Sequence, residues 1–366
     1  MILTKARILS PGIDEGIYSI RIADNKIKTI STEMIIPLEG EKIIDIEENY
    51  LIPGLIDCHT HLGLKTDSAG VFYADHNERS NLITPEVRAI DAINPQDITF
   101  EEARSAGITA CGSGPGSANL IAGQYACIKT FGDTIDDILV DPYIAMKVAL
   151  GENPKRVHNL TRMGLISKLR EFLRLSKEYN LDKEAKYDHQ LEAMKPIINK
   201  EIPLKIHVHR ADDIVSAIRV VEEFDLLYTL DHVTCGADIL DYIHTKKRNL
   251  IVGPSLGARG KMELKGKGFD NLVRLAKGQD ISIITDAPVI PLQYLPICVG
   301  LAISKGLPFE KGLEAVTINP ARMMGVDKRI GSIEEGKDAD LVVWKDKPFI
   351  TIQDPILVMI DGKIID

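Results

Sequence analysis

Cysteine is scarce in this 366-residue chain: five residues, at positions 58, 111, 127, 235 and 298, with no CxxC pair. An odd, scattered set excludes a disulfide scaffold and a zinc ribbon, and reduced thiols in a cytoplasmic protein are the simplest expectation. Basic residues are outnumbered, 44 Lys and Arg against 53 Asp and Glu, which leaves a net charge of −9. A nucleic-acid partner, which selects a basic face, is therefore not expected. No run approaches the roughly 20 apolar residues that a membrane span requires. The opening MILTKARILS carries only a short apolar patch with charges soon after, unlike a signal peptide. Neither an internal repeat nor a low-complexity tract is present.

What is there alternates. IYSIRIADNKIKTI reads as a hairpin around Asp24 and Asn25, and the tail runs ADLVVWKDK and PILVMIDGKIID read as further short strands. Neither end can close a core alone, so one β-rich lobe built from both termini is expected, residues 1–50 with 331–366. Between them, residues 51–330 carry eight apolar strand-like runs: GLIDCHTH, GITACGS, CIKTFG, YIAMKVALG, LKIHVH, LLYTLDHV, NLIVGPS and ISIITDAP. Helical patterns such as MGLISKLREFLRLSKEY, IVSAIRVVEEF and FEKGLEAVTINPARMMG separate most of them. The pattern predicts an α/β fold, a (β/α)8 barrel whose chemistry sits at the C-terminal ends of its strands.

Those ends concentrate one residue type. His59 and His61 close the first run, His207 and His209 the fifth, and His232 the sixth, so five of the nine histidines fall there; Asp286 closes the eighth. Alternation puts residues two apart on one face, with Asp57 below His59 and His61. Neutral imidazoles on one face suit a single divalent ion. A lone HxH could equally be two polar residues ending a strand; the recurrence on distant strands favours the ion.

PGLIDCHTHLG resembles the first-strand signature of the amidohydrolase superfamily, and TINPARMMGVDKRIGSIEEGKDADLVVW is similar to the stretch in which those enzymes leave the barrel for the β-sandwich. The resemblance, to imidazolonepropionase-related and prolidase-like members, spans essentially the whole chain. It implies a distorted (β/α)8 barrel, a small β-sandwich made from both termini, and one or two divalent metals, zinc first, with iron or manganese as alternatives. It carries His59, His61, His232 and Asp286 over as metal ligands; of the fifth-strand pair His207 and His209 it points to His207, which leaves His209 to face substrate or to stand behind the ligands. Lys147, alone in YIAMKVALG, matches the lysine that binuclear members carbamylate into a bridging anion; its rivals are an ordinary ion pair or Glu152 in GENP as the ligand.

The resemblance also implies a function: hydrolysis of an amide-type C–N bond in a small molecule, with Asp286 as proton acceptor then donor and the metal polarising the carbonyl, helped by His232 where that residue is not itself a ligand. Cyclic amides, small peptides or N-acyl amino acids, and deaminated heterocycles are the competing substrates. One departure matters. Where imidazolonepropionase and chlorohydrolase members carry glutamate three residues after the fifth-strand histidine, this chain has Arg210, which reads as a substrate contact or an ion pair with Asp212 or Asp213. Arg162, Arg79, Arg156 and His76 are further candidates on loops over the same mouth. GSGPGS (112–117) lacks the GK[ST] ending of a phosphate loop and reads as a turn over the mouth. A homo-oligomer fits the superfamily. The reading from a different class is an amidohydrolase-fold scaffold without catalysis.

Overall fold

Asp24 and Asn25 both adopt left-handed backbone, φ 49° and 62°, a conformation that short polar side chains tolerate and that two-residue hairpins demand. They join β2 (Ile13–Ala23) to β3 (Lys26–Ser31), while β1 (Ile2–Ser10) pairs antiparallel with β2. Along its other edge β1 takes two short parallel partners in succession, β4 (Ile43–Asp45) and then β5 (Tyr50–Pro53). The computed structural model describes residues 1–66, 74–246 and 249–365; Asp366, the end of the tail run, lies outside them.

The tail completes this sheet. After the barrel strands β6–β13, β14 (Leu341–Trp344) pairs with β5, β15 (Leu357–Ile360) with β14, and β16 (Lys363–Ile365) with β15 through an Asp361–Gly362 turn. Its order is β16-β15-β14-β5-β1-β2-β3, with β4 beside β1. Leu3, Ile8, Ile20, Ile27, Leu341, Val343 and Met359 bury one common core on it. Lys129, at the end of a barrel strand, ties the two lobes together, reaching Asp338 at 2.8 Å, Asp340 at 3.1 Å and also Asp361.

The second sheet runs in chain order: β6 (Leu55–Thr60), β7 (Ile108–Ser113), β8 (Ile121–Lys129), β9 (Leu139–Ala149), β10 (Leu204–Val208), β11 (Tyr228–His232), β12 (Leu250–Val252) and β13 (Ile281–Ile283). The Asp57 carboxylate draws β13 back towards β6, accepting hydrogen bonds from Thr285 N at 2.8 Å and Oγ1 at 2.7 Å. The barrel is therefore nearly closed. Strict β/α alternation fails at one place: β8 runs antiparallel to both β7 and β9. Parallel neighbours need a crossover of about a dozen residues or more, and residues 114–120 and 130–138 are too few. A meander replaces two β/α units, which is the distortion.

Elsewhere helices supply the crossovers, notably Arg162–Leu181 and Ala211–Glu223. The FEKGLEAVTINPARMMG run forms two helices, Phe309–Glu314 and Ile318–Met323. Pro320 has no N–H and its ring crowds the preceding turn, so one continuous helix is ruled out. No described helix is long and apolar enough to cross a membrane.

Candidate metal centre

Strand register brings distant polar residues to one level. Lys205 on β10 stands beside Lys147 on β9 and Thr229 on β11, and His207 stands beside Asp231. All five are buried. Thr229 and Asp231 share a face, so alternation alone would turn His232 away from the barrel. His232 instead has φ 72°, in the left-handed region, and its ring lies 4.4 Å from that of His207 and 4.8 Å from that of His59. Asp286, after β13, is also left-handed at φ 55°. Such backbone is costly for non-glycine residues and persists where the surroundings fix it, commonly at functional sites.

Three of the imidazoles are oriented by an acceptor behind them. His59 Nδ1 meets Asp231 Oδ2 at 2.6 Å, His61 Nδ1 meets the Gly114 carbonyl at 2.7 Å, and His232 Nδ1 meets the Gly253 carbonyl at 2.7 Å. An acceptor at Nδ1 fixes the proton there, which leaves Nε2 with a free lone pair. The Nε2 atoms of His59 and His61 each lie 3.5 Å from Asp286 Oδ1. Those of His207 and His232 are buried with no hydrogen-bond partner. Buried polar atoms are rarely left unpaired, and two ring nitrogens beside a carboxylate with two more unpartnered in the neighbouring rings fit a cation. His59, His61 and Asp286 form one cluster able to hold an ion, and His207, His209 and Glu263 a second.

Electrostatics favours the neutral form of His59, His207, His209 and His232. Burial first, then the Lys147 and Lys205 cations, holds His59 well below the usual imidazole range; burial and the neighbouring His232 do the same for His207 and His209. Burial opposes ionisation of Asp286, yet a proton taken up by the facing imidazoles of His61, His232 or His59 outweighs it as an ion pair, and the carboxyl lies well below the ordinary range. Lys147 Nζ sits 3.0 Å from His59 Nε2, and burial lowers it from 10.5 to about 8.

Asp231 and Lys205 escaped sequence reasoning. Lys205 Nζ lies 3.1 Å from Asp231 Oδ2, the oxygen that holds His59, and both residues are buried. The signal was available, since Asp231 precedes His232 and Lys205 precedes His207 by two. Alternation assigns Asp231 and His232 to opposite faces, and only the backbone turn at His232 admits both. Removing one member of a buried pair costs about 3–5 kcal/mol. Lys205→Met should destabilise the protein by roughly that amount in urea unfolding; a loss below about 1 kcal/mol would show that Asp231 does not need its cation.

A cavity of about 310 Å³ opens above the histidines. His59, His61, Lys147, His207, His209 and Asp286 all reach its wall, as do His76, Arg79 and Arg156. Gly116 and Ser117 of the GSGPGS segment, with Ala118 after it, cover one side; a Cβ on Gly114 would stand 2.3 Å from the Tyr125 ring, so only glycine fits there. His209 Nδ1 is 2.7 Å from Thr234 Oγ1, and its Nε2 is 4.0 Å from the buried carboxylate of Glu263, another residue missed in the sequence.

The structure does not bring Arg210 to this cavity. It is exposed, and Asp212 accepts from its Nε at 2.8 Å and its Nη2 at 2.7 Å. The neighbouring carboxylate, two residues away, satisfies the guanidinium locally, so Arg210→Ala should change kcat/KM less than about twofold; a tenfold loss would place it back at the substrate. Arg162 is likewise engaged outside the cavity, its Nε 3.0 Å from both oxygens of Asp213. Glu152 also stands apart, its backbone N–H donating to Glu263 Oε2 at 2.8 Å.

The sequence profile of the Amidohydrolase family matches residues 50–365. The chain belongs to the amidohydrolase family. Members of that family are hydrolases acting on C–N bonds, generally with metal. A crystallised amidohydrolase from Thermotoga maritima MSB8 shares 34% identity with a TM-score of 0.95, over 100% of this chain and 99% of that one. The amidohydrolase tasK of Hapsidospora irregularis is 28% identical over 88% of this chain, which spans 37% of tasK's length. The imidazolonepropionase of Maricaulis maris is 23% identical over 94% of this chain and 92% of its own. A prolidase complexed with n-methylphosphonate-l-proline, at 16% identity and a TM-score of 0.59, shares the fold.

Proposed function

We propose that this amidohydrolase hydrolyses an amide-type C–N bond of a small molecule with the help of one or two divalent ions, zinc first. The observation that carries the reading is the set of imidazole Nε2 atoms converging beside Asp286, three of them from rings whose Nδ1 protons are already committed. His59, His61 and Asp286 would hold one ion; His207 and His232 would hold another, with Lys147 between them. Lys147 is suited to carbamylation, because a neutral amine adds to CO2, releasing a proton and gaining an anionic two-oxygen group. Burial brings that neutral form within reach near pH 8. A bound divalent ion supplies an acidified water and polarises the carbonyl.

The chain's own residues do the rest. Asp286, held ionised, accepts the water's proton and delivers it to the departing nitrogen. His209, anchored on Thr234, faces the substrate beside the ligand set. Dipeptides, N-acyl amino acids and lactams are the compounds to screen, with zinc-, manganese- and iron-loaded protein, with and without bicarbonate. Stoichiometric metal and hydrolysis in one class support the reading. Protein that holds no metal and cleaves none of them is the scaffold without catalysis instead.

A further inference from the structure

Lys267 is a cation out of place. It lies on the loop after β12, lines the cavity over the histidines, and is 8% exposed. Its Nζ finds only the Ala258 carbonyl at 3.4 Å. No carboxylate lies within ion-pair distance of it among the described residues. Burying an ammonium without a counter-ion is expensive, and proteins ordinarily pair such a group or neutralise it. Asp286, on the same cavity wall, is already engaged with His59 and His61.

The rest of the mouth repeats the imbalance. Lys65, Arg79 and Arg156 line the same cavity, and none has an acidic partner among the described residues. Lys261 lines it too, held by Asn153 and 3.9 Å from Glu263. Among the described residues, five cations therefore line the cavity around Lys147 and the histidines, four of them without an acidic partner and Lys261 shared with Glu263, in a chain whose net charge is −9. An acidic protein that gathers unpaired cations around one concave site raises the local concentration of anions there. About 310 Å³ is room for a molecule of dipeptide size rather than for a polymer.

We propose that the molecule bound in this cavity carries a carboxylate, anchored by the buried Lys267 ammonium and drawn in by Lys65, Arg79 and Arg156. Lys267 is thus a specificity residue: it distinguishes an N-acyl amino acid, dipeptide or carboxylated lactam from the same compound capped as an amide. The proposal rests on the hydrolytic reading only in naming that molecule the substrate. The anion site follows from the cations themselves.

The test uses matched pairs, namely N-acetylalanine, glycylproline and pyroglutamate, each against its primary amide, with zinc-loaded protein. Melting midpoints and dissociation constants are measured first, and cleavage separately. The expected result is that at least one acid binds tenfold or more tighter than its amide, less so at high salt. Lys267→Met should abolish that preference with zinc content unchanged, and Lys267→Arg should restore part of it. Equal binding of every acid and amide overturns the proposal. So does a preference that survives in Lys267→Met, because the carboxylate would then be binding the zinc. Acid-selective binding without cleavage of any compound overturns the hydrolytic reading and leaves the anion site standing; cleavage without acid preference does the reverse.

Discussion

Asp286→Asn should lower kcat by about 10³-fold, within the ~10²–10⁴ range of a positioned proton-transfer group, while metal content stays close to that of the unaltered protein. The expectation follows from position. Asp286 Oδ1 lies 3.5 Å from the Nε2 atoms of both His59 and His61, and the residue lines the cavity. Asparagine keeps an oxygen for the ligand set and loses the capacity to take a proton. A variant that turns over at near-normal rates would remove Asp286 from proton transfer. A variant that loses its metal as well would make it chiefly a ligand. The same carboxyl bears on stability. Its folded value lies below that of an unfolded aspartate, so its contribution is present above the ordinary carboxylate range and is lost as pH falls through the folded value.

Lys147→Met should have two effects of opposite sign. Metal bound per chain falls by up to one equivalent, and any stimulation by bicarbonate disappears. The metal-free protein, however, becomes more stable at pH 7, by about 3 kcal/mol at roughly 1.4 kcal/mol per pKa unit. The sign follows from linkage. Lys147 falls from 10.5 to about 8 on folding, so below about pH 8 the folded protein carries a buried charge that an unfolded lysine holds in water without cost. Between about 8 and 10.5 the unfolded chain binds more protons, and wild-type stability rises with pH. The gap between variant and wild type should therefore be widest at neutral pH and close as pH approaches 10.5. Urea unfolding of both metal-free proteins at pH 7 and pH 9.5 measures it. A gap that does not narrow would mean that folding does not lower the affinity of Lys147 for its proton.

The trade is chemically intelligible. A lysine that is to become a carbamate must be deprotonated near neutral pH, and burial is the means available inside a barrel. Lys147 and the nearby Lys205 both stand over the Tyr125 ring, each Nζ 5.4 Å from its centroid. That contact softens but does not remove the cost of two cations in one interior. Stability conceded at a reactive centre is common where function needs an uncomfortable group.

By itself the sequence determined the fold class and which histidines gather at one end of the barrel. Hydrophobic runs of strand length are local, and so is the period of two that groups Asp57, His59 and His61, or Lys205, His207 and His209. Short range sufficed for both, because side-chain direction along a strand is set by the residue's own neighbours. Three things were decided only by tertiary structure. The direction of β8 followed from connections too short to cross over. The presence of both Asp231 and His232 in the centre depended on a left-handed turn that no alternation rule contains. The fates of Arg210 and Lys267 were settled by which loops lie next to them: Asp212 takes up the guanidinium of one, and among the described residues no carboxylate comes within ion-pair distance of the other. A charge in a sequence has no partner until the chain closes, and Coulomb attraction depends on distance through space, which residue spacing does not record.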